Sequence, residues 1–533
     1  MDILIQKGVK TQKIKETEYV YIDNPYWDKD KKQNRHKREY IGKLSEDGEF
    51  IPNKKYLDRQ NKEKGEDKHE KALIASRKFF GATHLLDCIG NKTGVKKDLE
   101  QAFGEDACKK ILSLVYFLVL EGESSMYRFS KFAKTHKHPN VDVISSQRIS
   151  ELFSNISENE KALFFRNRIK KCLKNEYLAY DTTSISSYSE TMDQIKYGHN
   201  KDLESLPQIN LAVVFGEESM LPVYYRKMPG NISDVSTIKK LLIDMDFLGL
   251  EKINFVLDRG FYSADNINSL YRMRHKFIIG GRSNSALIKT SIGEAVDRIK
   301  DFSNYNIEHN IYCLTKESRW KYVYKNKKGE KASENRLLYI HVYYDGTRAE
   351  SEKKDFIKKL KLVEEAFIDG SCSDAQKTLF DKYFILKEKN GDSAASFTHN
   401  QEAINSHMQN FGYFVLLSNH ITDANTAISI YRNKDVVEKT FGNIKNRLDM
   451  KRTKVSSEES LEGKIFIQFV ALIYISFIHQ IMSNNNLYKN YSMASLLDEI
   501  DVIEIFEYKG KKNHVSEITK KQHNIFKCFD IIP

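Results

Sequence analysis

Long apolar runs are what this 533-residue sequence most lacks. Its most hydrophobic segment, KIFIQFVALIYISFIHQIM (464–482), offers only about 14 residues between polar ones and contains Gln468, too short and too interrupted for a bilayer span of about 20 residues. It reads as a buried helix, and no membrane partner is expected. The opening MDILIQKGVKTQKIKETEYVY has no apolar core of the kind a signal peptide needs. Cysteine is sparse: Cys88, Cys108, Cys172, Cys313, Cys372 and Cys528 are scattered, with no CxxC pair and no histidine spacing suited to zinc. They read as reduced thiols of a cytosolic protein. Internal repeats and long low-complexity blocks are missing too.

What is present is charge. Lys and Arg (85) outnumber Asp and Glu (73), a net +12 with pI near 9.0, which favours a polyanionic partner, nucleic acid before a membrane surface. The length allows a substantial core and two to four domains.

Residues 1–70 are charged and strand-like around EYVYIDNPYWDKDKKQNRHKREYIGKL, where two aromatic, β-branched runs flank a basic connector. This is a basic hairpin, either a DNA contact or a solvated β-appendage. Residues 71–172 are helical, and the pair of short helices near 82–103 is a candidate helix-turn-helix. From 173 to 285 strands dominate (AYDTTSIS, QINLAVVFG, LPVYYRKMPG, INFVLDRGFYS, KFIIGGR), with helix entering between them, which predicts a mixed α/β sheet. Residues 286–408 are irregular and charged, with a hairpin over RWKYVYKNKKGEKASENRLLYIHVYYD and a helix over RAESEKKDFIKKLKLVEEAF; they read as an inserted subdomain. The α/β pattern returns over 409–482 with the strand GYFVLLSN, an amphipathic helix and the buried helix. Residues 483–533 read as a mobile or peripheral tail.

Three carboxylates are candidates for chemistry. Asp181 ends the apolar run YLAY and Asp258 ends INFVL, each at the tip of a predicted strand. Asp in such places is often a turn device. In ISIYRNKDVVEKTFGNIKNRL (428–448), helical spacing puts Tyr431, Lys434, Glu438 and Lys445 on one stripe bordering the apolar face. Alone, that stripe is explained by ordinary charge pairing on a helix edge. Together, two strand-end aspartates and a helical glutamate are what an RNase H-like sheet brings to one end. Converging carboxylates repel one another without a compensating cation. Hard oxygen ligands with no nearby His or Cys favour Mg²⁺ over zinc.

These motifs resemble the DDE transposases of bacterial insertion sequences, specifically the insertion-sequence-4 superfamily and its insertion-sequence-1634-like branch. The pattern Y-x2-[RK]-x3-E-x6-K is met by Tyr431, Lys434, Glu438 and Lys445, with Lys434 where Arg is usual, which keeps the charge and loses bidentate geometry. AYDTTSIS and LDRGFYS are similar to the family's first and second acidic motifs. The resemblance implies an RNase H-like catalytic core interrupted by a β-rich insertion, following a β-structured basic region and a helical domain. It implies Asp181, Asp258 and Glu438 as ligands of two Mg²⁺ ions, with Mn²⁺ as a possible substitute. It also implies cleavage at transposon ends and joining of the 3′-hydroxyls to target DNA. Duplex DNA, as terminal inverted repeats and target, is the expected partner, with a homodimer in the synaptic complex and a cytoplasmic, nucleoid-associated location. Tyr431, Lys434 and Lys445 would grip phosphates; a helix-dipole contact is the alternative for Lys445. Arg259 would contact phosphate or pair with a carboxylate. Arg447, Lys451 and Arg452, in KNRLDMKRTKV, form a backbone-binding surface or a solvated charge run. Trp320, in the insertion, stacks on a flipped base or fills a core. A transposase-derived binding protein and a stand-alone nuclease on the same fold are the other readings; the first is marked by loss of a carboxylate, and none is lost here.

Overall fold

The computed structural model describes residues 8–532 except 16, 29–30, 46, 60–75, 123–124, 173–175, 190–191, 199, 201–203, 327, 388–396, 449–451, 454, 456 and 509–512; the side chains of 172, 234, 435–441 and 443–447 also lie outside what it describes. The chain divides into two units, Met1–Lys78 with Ile503–Glu517, and Phe79–Val502 with Ile518–Pro533.

The first unit is built on a four-stranded antiparallel sheet, Val9–Ile14, Thr17–Asp28, Gln33–Leu44 and Phe50–Pro52 in that order. Val20, Tyr21 and Ile41 of this sheet are buried, as are Ile503 and Ile505 of the unit's second segment. Gly42 lies so close to the last strand that a Cβ there would sit 2.3 Å from the Ile51 carbonyl oxygen. The two central strands are twelve residues each and form the basic hairpin expected from the sequence.

The second unit holds a nine-stranded sheet. Its strands are β1 (Leu178–Ser186), β2 (Gln208–Gly216), β3 (Pro222–Pro229), β4 (Asn254–Leu257), β5 (Lys276–Gly280), β6 (Tyr305–Asn306), β7 (Ile311–Lys325), β8 (Lys331–Tyr344) and β9 (Tyr413–Ser418), in the order β3-β2-β1-β4-β5-β9-β8-β7-β6. β2 is buried at all nine positions, which is why QINLAVVFG is an unbroken apolar run and not an alternating one. β1 pairs with β2 antiparallel and with β4 parallel, and β4 pairs with β5 parallel. Between β3 and β4 runs helix α1 (Asp234–Phe247), and between β4 and β5 runs α2 (Ala264–Arg272), capped by Ser263, whose hydroxyl accepts the Asn266 amide. This is the mixed α/β, RNase H-like core.

The stretch 286–408 interrupts that core in two ways. Its hairpin, β7 and β8, does not stand apart but continues the sheet through β8–β9 pairing. Its later half is largely helical, with Gly346–Ile368 and Asp374–Tyr383 closing a separate small core of Leu360, Val363, Phe380, Tyr383, Phe384 and Ile404.

After β9 come α3 (Ala424–Arg447) and α4 (Glu458–Asn484). By length and composition α4 passes for a membrane span, yet most of its apolar stretch is buried inside the unit. It is the axis around which the amino-terminal helices of the unit pack, and each Ile or Phe it buries contributes about 1.5–3 kcal/mol. Its first turns are tied down by charge: Lys227 of β3 bridges Glu458 and Glu462, and Lys161 also reaches Glu462. The short helices expected near 82–103 are Gly81–Lys92 and Val95–Phe103. Buried Asp98 of the second pairs with Lys171 at 2.7 Å and Arg168 at 3.4 Å, while Lys97, Glu100 and Gln101 face outward.

Of the stretch read as a mobile or peripheral tail, the described residues include two helices that bury apolar side chains. Met493–Asp501 buries Leu496, Leu497 and Ile500, and Lys520–Cys528 buries Ile525 and Phe526. Both helices are short enough that their apolar spacing is easily missed; capping boxes at Ser492 and Thr519 fix their starts.

Candidate active site

β1 is buried at every position but one, and that one is Asp181. Parallel pairing sets Leu178 opposite Phe255, Ala179 opposite Val256 and Tyr180 opposite Leu257. Asp258 follows Leu257 with extended backbone (φ −71°, ψ 162°), so the register runs one step further and brings Asp181 beside Asp258. Neighbouring strands are about 4.8 Å apart. Asp181, expected at a strand tip, is instead the fourth of the nine residues of β1, which runs on to Ser186, while Asp258 lies just past the end of β4; both strands are in the interior of the sheet.

Helix α3 crosses over these two strands. Tyr431 donates its hydroxyl hydrogen to Oδ1 of Asp258 at 2.8 Å. Lys434 is buried to 1% exposure, and its Nζ lies 5.3 Å from the Tyr431 ring centre. Burial pushes the Asp258 carboxyl up, but the Lys434 charge, the Tyr431 hydroxyl and the Arg259 amide and charge outweigh it and hold the group below its ordinary value. Tyr431 and Lys434, expected to face DNA, are thus turned toward Asp258. Position 438 is seven residues, about two turns, beyond Tyr431 on the same helix. The side chains of Glu438, Lys445 and Arg447, and the whole of Lys451, lie outside the described residues.

The remaining predicted residues are dispersed. Arg259 is exposed and opens on a cavity of about 1380 Å³ that starts at Asp258 and Tyr431. Its lining includes Lys289, Arg348, Lys359 and Lys382 together with Asp345, Glu352 and Asp355, so the stretch 286–408 brings charges of both signs to the space next to Asp258. Arg452 pairs with Glu204 and lies over the Tyr188 ring, beside the far end of β1. Trp320 is half-buried, its indole N–H bonded to Asn268 of α2 at 2.8 Å.

Several positions with a part in the site were not singled out from the sequence. A Cβ on Gly280 would lie 2.9 Å from both the Arg259 amide nitrogen and the Tyr431 hydroxyl oxygen; only glycine lets helix, turn and strand meet here. Arg282 clamps the turn after Asp258 by donating to the carbonyls of Arg259 (3.2 Å) and Gly260 (2.7 Å). Asn433 donates to buried Glu217, whose carboxyl is pushed up by burial. The paired glycines followed by arginine in IIGGR are the one signal that pointed to this corner.

The donor set suits a hard cation. Asp181 and Asp258 present carboxylate oxygen only, and the cation-flanked Asp258 stays ionised. Among the described residues no three His, Cys, Asp or Glu side chains gather as a metal site.

An RNase H-like sheet with one aspartate within a central strand, a second just past the end of its parallel neighbour, and a helix crossing above them defines a carboxylate-centred domain of the DDE type. A family model described as the transposase DDE domain matches residues 174–474, more than half of the chain, and the chain belongs to that family. No curated protein matches it significantly. Among solved structures it is similar to one described as the piggyBac transposase synaptic complex with hairpin DNA, at 11% identity and a TM-score of 0.37, over 74% of this chain and 70% of that one.

Proposed function

We propose that the chain is the transposase of a bacterial insertion sequence of the insertion-sequence-4 superfamily, 1634-like branch. It hydrolyses a phosphodiester at each end of the element and joins the freed 3′-hydroxyls to target DNA. The observation that supports this most is the β1–β4 register, which pairs Tyr180 with Leu257, the residues that immediately precede Asp181 and Asp258. Asp181, Asp258 and Glu438 would hold the metal. When bound, two Mg²⁺ ions, or Mn²⁺ in their place, supply charge to offset the carboxylates, activate the attacking oxygen and stabilise the leaving one.

The chain's own residues prepare that site. Tyr431 and Lys434 keep Asp258 ionised and oriented, and Gly280 leaves room for them to do so. Arg259, Lys289 and Arg348, the last already paired with Glu352 at 2.8 Å, line the cavity and would hold the phosphates of a strand led past Asp258. Two ends must be cut and joined together, so a homodimer on duplex DNA is the acting form, at the nucleoid of a bacterial cytoplasm. The test is nicking, with Mg²⁺, of linear DNA carrying the inverted repeats that flank the coding region. Asp181→Asn, Asp258→Asn and Glu438→Gln should each abolish it, and pre-cut ends should still be joined by the parent protein. Undiminished nicking by all three variants overturns the assignment.

A further inference from the structure

The long hairpin of the first unit has no part in the site described above. We propose that its outer half, Asp23–Asp28 paired with Gln33–Arg38, is an arm that grips duplex DNA by lying in the major groove. The proposal rests on the DNA-directed reading of the chain and adds a second contact to it.

The hairpin is supported only at its base. Val9–Ile14 pairs with the first strand as far as Ile22, and Phe50–Pro52 pairs with the second only at Gly42–Leu44. Apart from the Asp23 amide, which donates to the Gly8 carbonyl, the backbones from Asp23 and Arg38 outward pair only with each other among the described residues. That leaves six residues per strand, about 20 Å of two-stranded ribbon. A free ribbon of this kind is marginal in water unless something covers it. No residue of this half belongs to the core; instead it exposes its two bulkiest aromatics near the tip, Trp27 at 58% and Tyr26 at 47%.

Its charge identifies the cover. Residues 23–38 hold six Lys or Arg and three Asp. The register places Asp23, Pro25 and Trp27 with Arg38, His36 and Asn34 on one face, and Asn24, Tyr26 and Asp28 with Lys37, Arg35 and Gln33 on the other. On the first face Asp23 is nearly buried and draws in Lys10 at 2.7 Å and His36 at 3.0 Å. Arg38 donates to Gln12 at 3.1 Å and lies over the Tyr21 ring. Asp23 thus fixes Lys10 in place, and Gln12 with the Tyr21 ring fixes Arg38, which lowers the entropy lost when these cations meet phosphates. The second face carries Lys37 and Arg35, the latter paired with Asp28 at 3.4 Å, so each face keeps basic groups for an anionic wall. The major groove is about 12 Å wide and admits a two-stranded ribbon; cations along the strands then meet both backbones while the tip aromatics reach base edges.

The test is binding of the full chain, without divalent metal, to a fluorescent duplex of arbitrary sequence, followed across salt concentration. Replacing Arg35, Lys37 and Arg38 by Gln should weaken binding at least about tenfold and reduce the slope of log K against log salt by about 2 to 3, since each phosphate contact contributes about 0.9. Trp27→Ala should weaken binding roughly fivefold or more and leave the slope alone. Thermal melting checks that the variants fold; should the triple variant not, Arg35→Gln with Lys37→Gln is judged by the same slope. An unchanged slope and affinity overturn the arm, as does equal binding of a single strand of the same length. Because no cleavage is read, failure here is distinct from failure of the catalytic assignment, which the aspartate variants report.

Discussion

The Tyr431 hydroxyl is bonded to Oδ1 of Asp258 across 2.8 Å, linking the helix that carries position 438 to the strand that carries the second aspartate. The bond does two things: it orients the carboxylate, and it favours the charged form.

Tyr431→Phe removes that donor and little else. Hydrogen bonds to charged groups are worth about 1.5–3 kcal/mol, so nicking should fall roughly tenfold or more. The acid limb of its pH–rate profile should move to higher pH, because one of the influences holding Asp258 below its ordinary value is gone. A profile unchanged in position would mean the bond serves packing alone.

Gly280→Ala tests the close approach. The added methyl must displace the Arg259 amide or the Tyr431 hydroxyl, and overpacking of this sort costs about 1–3 kcal/mol. Gly293→Ala is the control: nothing lies within 4 Å of a Cβ there, and Ala in the last turn of helix Ala286–Ala295 should stabilise by up to about 1 kcal/mol. The pair should move in opposite directions in urea denaturation, with nicking lost only in Gly280→Ala. Equal behaviour would remove the steric role.

These two tests fall on different sides of what the sequence reveals. The α/β core is legible because buried strands such as Gln208–Gly216 and Leu178–Ser186 are apolar without alternation, and because Asp181 is the residue that breaks such a run. Gly280 is not legible, since its importance lies in atoms of Arg259 and Tyr431, 21 and 151 positions away. Helical spacing puts Lys434 only at the edge of the apolar face; it is the crossing of α3 over the sheet that buries it. The hairpin β7–β8 reads as part of an insertion because chain order separates it from β9, and only strand pairing joins them. The carboxy-terminal helices escape notice because nine residues carry too few turns for a clear period.

A buried cation beside a carboxylate predicts non-additivity. Lys434→Met leaves Asp258 without the largest influence that lowers its carboxyl and should destabilise the protein by roughly 3 kcal/mol. Asp258→Asn should relieve part of that loss, so the double variant is less unstable than the two single losses together by about 0.5–3 kcal/mol. Urea denaturation of the four proteins measures the cycle. Simple additivity would show that Lys434 is balanced by other groups.

Acid sensitivity should arise away from the site, at His275 and His341. Both are buried, at 2% and 0% exposure, and burial lowers each from 6.5 to about 4. The neutral rings are bonded as such: His275 Nδ1 accepts the Ile253 amide at 3.2 Å, and His341 Nδ1 is 2.9 Å from the Thr315 hydroxyl oxygen. In the unfolded chain both would take up a proton near pH 6.5, whereas in the fold they do so only near pH 4. The unfolded state therefore binds more protons between these values, and stability declines as pH falls through that window, by up to about 3 kcal/mol per histidine. Below pH 4 both states are protonated and this contribution stops changing. His275→Gln with His341→Gln is less stable than the parent at pH 7, because packing and hydrogen bonds are altered. Its stability should nevertheless fall less steeply from pH 7 to pH 4 in urea titrations. Parallel curves for parent and variant would assign the acid sensitivity to other groups.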